Sequence, residues 1–529
     1  MKRNFIWTGG LLTSIFLASC AGGQKTKEKP LNIIHIMTDD HSYQTLSAYG
    51  HALGKLAPTP NLDRLAAEGM LFRQAFVENS LSTPSRACLM TGLYSHQNGQ
   101  RQLGAGIDTT KTFFSELLRA EGYQIAVVGK WHMQCEPKGF DYYQVLWDQG
   151  EYYNPEFKSP ETNGQYVKRK GYATKLTTDY AIDFLEHRNP EKPFCLLVHH
   201  KAPHRNWMPE EKYLHLYDDV EFPYPDTFDD DYATRCEPAH TQEMRIADHM
   251  TLVYDLKLND LRNQSPYKDE WSANGLQASL DRMDSAQRTA WETAYAARLE
   301  DFKKQNLSGE ALTRWKYQQY IKDYLRCIKT IDDEVGRLLD YLEAHDLMDN
   351  TVIVYTSDQG FYMGEHGWFD KRFMYEESFR TPLIIRYPGG KQGVENWDLV
   401  QNIDYAPTYL DIAGIQKPNE MSGSSLVPLL CGTTPPDWRQ YLYYHYYDYP
   451  AIHMVRRHDG VRDAQYKLIH FYGEKDDTRN AVNCNELYDL KADPGELHNL
   501  YGNPDYQEVQ DRLQQQLDRF RSDLKVDEF

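Results

Sequence analysis

Ser82-Thr83-Pro84-Ser85-Arg86-Ala87-Cys88-Leu89-Met90-Thr91-Gly92 reads as a helix entrance built around one exposed hydroxyl. A hydroxylated residue at the cap and Pro84 at the first helical position are helix-start signals, because proline lacks an N–H that the first turn leaves unsatisfied anyway. The remaining free N–H groups and the positive end of the helix dipole then face Ser82. An anion belongs at such a place.

Around this helix, several short apolar runs end abruptly in polar residues, as buried parallel strands do when their C-terminal ends open into a site. The run 31–37 leads into Asp39 and Asp40, and 124–128 leads into Lys130 and His132. The run 194–198 leads into His199, His200 and His204, and 351–355 into Asp358 and Gln359. Helical patterns at 61–69, 112–121, 178–187 and 319–345 separate the strands. The fold class is therefore α/β, with its chemistry gathered on one sheet edge. From about 206 to 315 the sequence turns polar, with long helix-compatible stretches and few strand signals, and reads as a helical insertion over the site. Asp229-Asp230-Asp231 within it lacks regular ligand spacing and a glycine turn, so it reads as a solvated loop. The last hundred residues change character again. Residues 441–449 are tyrosine-rich, 466–471 read as a strand, and 505–521 as a helix whose apolar stripe is Val509, Leu513, Leu517 and Phe520.

The first 20 residues carry Lys2 and Arg3, an apolar run at 11–17, and Leu17-Ala18-Ser19-Cys20, which reads as a secretory signal. Because the small-residue site closes on a cysteine, it also resembles a bacterial lipoprotein signal, with Cys20 lipidated. Residues 21–30 are small and charged and read as a tether. No later run approaches the ~20 apolar residues of a membrane helix. These features point to a lipoprotein of the bacterial cell envelope, periplasmic or exposed at the cell surface, held to the membrane only by its lipid. The expected organisation is a catalytic domain at 31–430 and a smaller C-terminal subdomain at 431–529, since the chain exceeds the size at which one core stops growing.

The formal net charge is −19, and loss of Lys2 and Arg3 would make it more negative. This excludes a general polyanion-binding surface and nucleic acid as a partner. Attraction of an anionic substrate must come from a local cluster of Arg, Lys, His and metal. The cysteines after Cys20 are scattered and contain no Cys-x-x-Cys pair, so neither a disulfide scaffold nor a structural zinc site is expected.

The pentapeptide 82–86 with Thr91-Gly92 resembles the signature of the formylglycine-dependent sulfatases of the alkaline phosphatase superfamily. The resemblance continues through Thr59-Pro60-Asn61-Leu62-Asp63, Gly129-Lys130-Trp131-His132, Thr356-Ser357-Asp358 and Glu486-Leu487-Tyr488-Asp489-Leu490. It implies an alkaline-phosphatase-like mixed sheet flanked by helices, with a small antiparallel sheet and a helix at the C-terminus. It also implies that Ser82 is oxidised to formylglycine. For a serine this requires a radical S-adenosylmethionine maturase acting before export. Asp39, Asp40, Asp358 and Gln359 offer only oxygen donors, which favours calcium over zinc. By resemblance the modified Ser82 also touches the ion. The resemblance further assigns Arg86 and Lys130 to the hydrated aldehyde and sulfate, His204 with Lys371 to the sulfate and the leaving oxygen, and His132 to the proton whose removal expels sulfate.

Two segments, 201–209 and 370–378, are similar to bacterial enzymes acting on the 6-sulfate of N-acetylglucosamine. They suggest a sulfated mono- or oligosaccharide as substrate. Trp207 and Trp368 are candidates to stack on a sugar, and Arg205, Arg372, His445 and His453 to contact its hydroxyls or acid groups. The competing readings are a sulfatase for galactose or N-acetylgalactosamine sulfates, a phosphodiesterase or phosphonate hydrolase of the same superfamily, and a non-catalytic glycan-binding lipoprotein.

Overall fold

A computed structural model describes residues 30–264, 273–473 and 481–528. The signal, Cys20 and nearly all of the tether lie outside the described residues. Ten strands form one mixed sheet in the order Val394–Asn396, Met70–Phe72, Leu383–Arg386, Thr351–Ser357, Asn32–Thr38, Phe194–His199, Gln124–Gly129, Tyr142–Leu146, Glu156–Lys158, Val167–Lys168. Its centre is parallel: Thr351–Ser357, Asn32–Thr38, Phe194–His199, Gln124–Gly129 and Tyr142–Leu146 run in one direction. Leu383–Arg386 and Glu156–Lys158 flank them antiparallel.

Strand periodicity places alternate residues on opposite faces. Ile34, Ile36, Leu196 and Val198 pack against the helices Pro60–Ala67, Ala173–His187 and Gly309–Ala344. Ile33, Met37, Cys195 and Leu197 pack against the layer holding Phe114–Ala120, Tyr405–Ile412 and the helix Ser82–Thr91. Both faces are covered, so the central strands read as continuous apolar runs. All four strand ends named in the sequence analysis therefore open onto the same edge.

A second, four-stranded antiparallel sheet is made of Leu442–Tyr446, His458–Arg462, Tyr466–Tyr472 and Asn483–Asp489. The helix Gln507–Asp523 lies on it, burying Leu513 and Leu517 with Val509 and Phe520 beside them. The mixed α/β architecture with a smaller C-terminal antiparallel sheet is thus as the sequence implied. Among the described residues no helix is long and apolar enough to cross a membrane, and Cys88, Cys135, Cys195, Cys236, Cys327 and Cys484 are free thiols.

The segment expected to be a helical insertion is only partly helical. From 206 to 258 it is mostly turns, with short helices at Glu211–Tyr213 and Glu237–Thr241, and long helices begin at Ala273–Asp281 and Ser285–Gln305. Prolines 209, 223 and 225 interrupt the earlier part, since each removes an N–H that a helix interior would need. Asp230 is a second departure. Its side chain is 4% exposed and paired with Arg235 and His366 rather than solvated.

Asp323, on the long helix Gly309–Ala344, ties this segment down. Its buried carboxylate accepts two bonds from Arg298, at 2.7 and 2.9 Å, and pairs with Lys257 and Arg326, each at 2.9 Å. Burial alone would raise its pKa, but Arg298 and Lys257 hold it well below the usual carboxylate range. A folded pKa below the unfolded one gives stability that is complete above about pH 4 and is lost as the pH falls further. Asp323→Asn is expected to cost about 3–5 kcal/mol at pH 7, because three buried cations lose their shared partner. Urea unfolding at pH 7 and at pH 3 tests this: the gap between variant and wild type should narrow at the lower pH.

Candidate active site

Ser82 is the first residue of its helix, with Leu81 as the cap, so the helix starts at the residue expected to cap it. Its hydroxyl is not on the open surface. It lies at the base of a small cavity of about 150 Å³, whose wall includes His204, Arg205, Lys371, Arg372 and His453. The hydroxyl donates to Asp39 Oδ1 at 2.9 Å and accepts from Gln359 Nε2 at 3.3 Å.

The strand ends bring the carboxylates together. Asp39 and Asp40 follow the central strand, and Asp358 follows its parallel neighbour. The backbone N–H of Asp358 donates to Thr38, and that of Asp40 donates to Asp358 Oδ1 at 3.1 Å. All three side chains are buried, so their charge needs nearby cations. Arg86 supplies a two-pronged clamp on Asp358 Oδ2, at 2.9 and 3.1 Å, and donates its third nitrogen to the Lys130 carbonyl. Lys130 pairs with Asp39, and Lys371 with Asp40 at 2.7 Å. His204 Nε2 faces Asp40 at 3.8 Å, while its Nδ1 donates to the Arg205 carbonyl at 2.7 Å.

These cations do not balance the three carboxylates evenly. Burial raises Asp40 to about 6 and Asp358 to about 7, and the neighbouring carboxylates add to the rise at both. Burial acts on Asp39 in the same direction, but Lys130, with His204 and Arg86, holds its carboxyl well below the usual range. A further cation beside Asp40 and Asp358 would favour their ionised forms and offset this rise.

The donors present fit a hard cation. Ligand atoms of Asp39, Asp40 and His204 lie within 4.8 Å of one another. Gln359 Oε1 is buried without a partner, whereas its Nε2 points at Asp40 and Ser82. Rotating that amide by 180° would turn the orphaned oxygen toward the carboxylates, completing an all-oxygen set from Asp39, Asp40, Asp358 and Gln359.

Lys130 reaches the site because Gly129 ends its strand at φ +91°, where a Cβ would lie 2.0 Å from the His199 carbonyl oxygen. His132 sits beside Thr83, with Nδ1 3.4 Å from its hydroxyl and Nε2 3.4 Å from Asp148. Burial lowers His132 to about 4, so it is neutral at pH 7. His199 and His200 are buried strand-end residues outside this cavity.

Of the residues expected to meet a sugar, Arg205, Arg372 and His453 line the cavity, and the other three do not. Trp207 is 0% exposed and packs against Tyr320, Phe361 and Phe369. Trp368 is also 0% exposed, stacked between Tyr232 and Phe373. Neither has a free face for a ligand. His445 is buried in the C-terminal sheet, stacked on Tyr447 and bonded to Tyr443 and Tyr472.

The structure adds residues that the sequence did not single out. Asp370 lies 3.1 Å from Arg372 Nε and 3.3 Å from His453 Nε2, joining both to the cavity wall. Asp255 grips Arg205 with two bonds, at 2.6 and 2.8 Å. Gln149 accepts from Lys130 Nζ at 2.5 Å and lines the same cavity. Asp370 stands inside the quoted stretch 370–378. Gln149 follows the strand Tyr142–Leu146, whose end on the same edge was the available signal.

This geometry has known counterparts. The family model described as Sulfatase matches residues 31–415, and that described as N-sulphoglucosamine sulphohydrolase, C-terminal, matches residues 364–523. A Bacteroides thetaiotaomicron N-acetylglucosamine-6-O-sulfatase is 47% identical over 520 residues, spanning 97% of this chain and 90% of the relative. The Homo sapiens N-acetylglucosamine-6-sulfatase is 26% identical over 458 residues, spanning 81% of this chain and 70% of its own. A solved structure of a protein in complex with its substrate D-glucosamine-2-N,6-O-disulfate superposes with a TM-score of 0.88 at 46% identity, covering 94% of this chain and 99% of that one. The chain belongs to the sulfatase family. It is a sulfuric ester hydrolase of alkaline-phosphatase-like fold.

Gln149→Ala removes one of the two groups that aim the Lys130 ammonium. It is expected to lower kcat/KM for sulfate-ester hydrolysis by about tenfold, near 1.4 kcal/mol, with the thermal midpoint almost unchanged. Steady-state kinetics and a melting curve on the same sample check this.

Proposed function

We propose that this chain is an exported, calcium-dependent sulfatase that removes the 6-O-sulfate of N-acetylglucosamine or a related hexosamine, with Ser82 converted to formylglycine. The observation that carries this reading is the placement of Ser82. Its hydroxyl lies at a helix N-terminus, against Asp39, which pairs with Lys130, under a cavity lined by Lys371, His204 and Arg205. The substrate class is supported by the relatives, one an N-acetylglucosamine-6-O-sulfatase and one bound to a 6-sulfated glucosamine.

Formylglycine at position 82 and a calcium ion held by Asp39, Asp40, Asp358 and Gln359 would supply the nucleophile and the charge that activates it. This chain's other residues do the remaining work. Lys130 and Lys371 hold the sulfate oxygens, as charge-assisted donors matched to an anion. Burial keeps His204 well below its ordinary pKa. An arriving sulfate restores its proton through opposite charge, and Nε2 then gives that proton to the departing sugar oxygen. His132, neutral at pH 7, accepts a proton, and Asp148 stabilises the charge it gains.

Arg205, Arg372 and His453 are the proposed sugar contacts, with Asp370 as a carboxylate acceptor for hydroxyls between the last two. Export and Cys20 lipidation rest on the sequence signal, and a serine-type radical maturase follows from serine at position 82.

The test is release of inorganic sulfate from 6-sulfated N-acetylglucosamine, against galactose sulfates, by protein coexpressed with a serine-type maturase and supplied with calcium. Release from the hexosamine alone is expected. Ser82→Ala should abolish turnover while leaving the melting curve intact, and activity retained in that variant would sink the mechanism.

A further inference from the structure

A second cleft, of about 580 Å³, is lined on one wall by His132. Two large aromatic side chains stand exposed on its wall, Trp147 at 53% and Tyr166 at 39%. Both are fixed by the sheet. The Trp147 N–H donates to the Glu156 carbonyl at 3.1 Å, and its own carbonyl accepts from Gly150 at 2.8 Å, closing a tight turn. Tyr166 immediately precedes the edge strand Val167–Lys168, which pairs with Glu156–Lys158. Exposed aromatic faces on an ordered backbone give contact area for few rotatable bonds, so they suit the apolar face of a sugar ring.

The turn carrying Trp147 joins this cleft to the catalytic cavity. Gln149 lines the cavity, while Trp147 and Asp148 line the cleft, and Asp148 faces His132. Neighbouring residues of one turn thus line both spaces, which puts the cleft next in line for a sugar joined to one held in the small cavity.

Charge sets what that residue can be. Lys158 is the one lysine or arginine of the cleft wall among the described residues, and it is paired with Glu136 at 2.6 Å, its ammonium 5.2 Å from the Tyr166 ring. Asp148 adds a second carboxylate, half exposed. The catalytic cavity, by contrast, carries Arg205, Lys371 and Arg372. An anionic sugar therefore gains nothing in the cleft and meets carboxylates there.

We propose that the cleft formed by Trp147, Tyr166 and the Asp148 turn is a second saccharide subsite, which takes an uncharged pyranose joined to the sulfated hexosamine. This rests on the hexosamine 6-sulfatase reading above and deepens it, since it selects glycans in which a neutral sugar, not a uronic acid, adjoins the sulfated one.

The experiment uses the mature, oxidised, calcium-supplied enzyme and three substrates. These are the 6-sulfated N-acetylglucosamine monosaccharide, a disaccharide in which a neutral hexose follows that sugar, and one in which a uronate does. The neutral disaccharide is expected to have a kcat/KM about tenfold above the monosaccharide, with the uronate disaccharide no better than the monosaccharide. Trp147→Ala should erase the gain through KM while leaving the monosaccharide rate unchanged, and Tyr166→Ala should reduce it. Equal kcat/KM for monosaccharide and neutral disaccharide, a preference for the uronate, or a gain that survives Trp147→Ala overturns the subsite while the hexosamine reading stands. No release from any of the three, the monosaccharide included, removes that reading and the subsite with it.

Discussion

Three carboxylates buried around one hydroxyl are the constraint on which the rest of the structure depends. Asp39, Asp40 and Asp358 have almost no contact with water, and taking such charges out of solvent costs several kcal/mol each unless they are compensated. The fold answers with Arg86, Lys130 and Lys371, each delivered by a different element: the helix Ser82–Thr91, the end of the strand Gln124–Gly129, and the loop after 364. None of these can be displaced without exposing an unpaired buried charge. The position of Ser82 is thus fixed by electrostatics as much as by packing.

The parallel sheet makes this arrangement possible. Its central strands are apolar on both faces and covered by helices, so they form a rigid base whose C-terminal ends lie within bonding distance of one another. The insertion and the C-terminal sheet then close over that edge. Arg205, just before the insertion, is held by Asp255 from within it, while His453, between the first two strands of that sheet, meets Asp370. The catalytic centre is built on strand ends, and the sugar-facing wall is built by segments that are far apart in the chain.

That division explains what the sequence made legible. Asp39-Asp40, Lys130 with His132, and Asp358-Gln359 each follow an apolar run directly, so their shared edge could be read from periodicity. Ser82 declared itself through helix-start chemistry, and Arg86 through the resemblance of 82–86 to the sulfatase signature. Asp370, Asp255 and Gln149 did not, because their importance lies in a partner distant in sequence, and an isolated Asp or Gln gives no sign of that partner. Trp207, Trp368 and His445 failed for the opposite reason. Residue type says that an aromatic ring can stack, but only packing decides whether it meets a sugar or Tyr320, Tyr232 and Tyr447. The stretch 206–258 likewise looked compatible with helix, and its prolines and its buried polar anchors folded it into turns.

Asp40 and Asp358, lifted by burial to about 6 and 7, and the orphaned oxygen of Gln359 give the proposal of a bound calcium a direct physical test. Calorimetric titration of metal-stripped protein with calcium at pH 7.5 measures this independently of catalysis. The account predicts one calcium per chain, with binding lost in Asp358→Asn. No calcium binding by the folded wild-type protein, or binding left unchanged by that substitution, would contradict it.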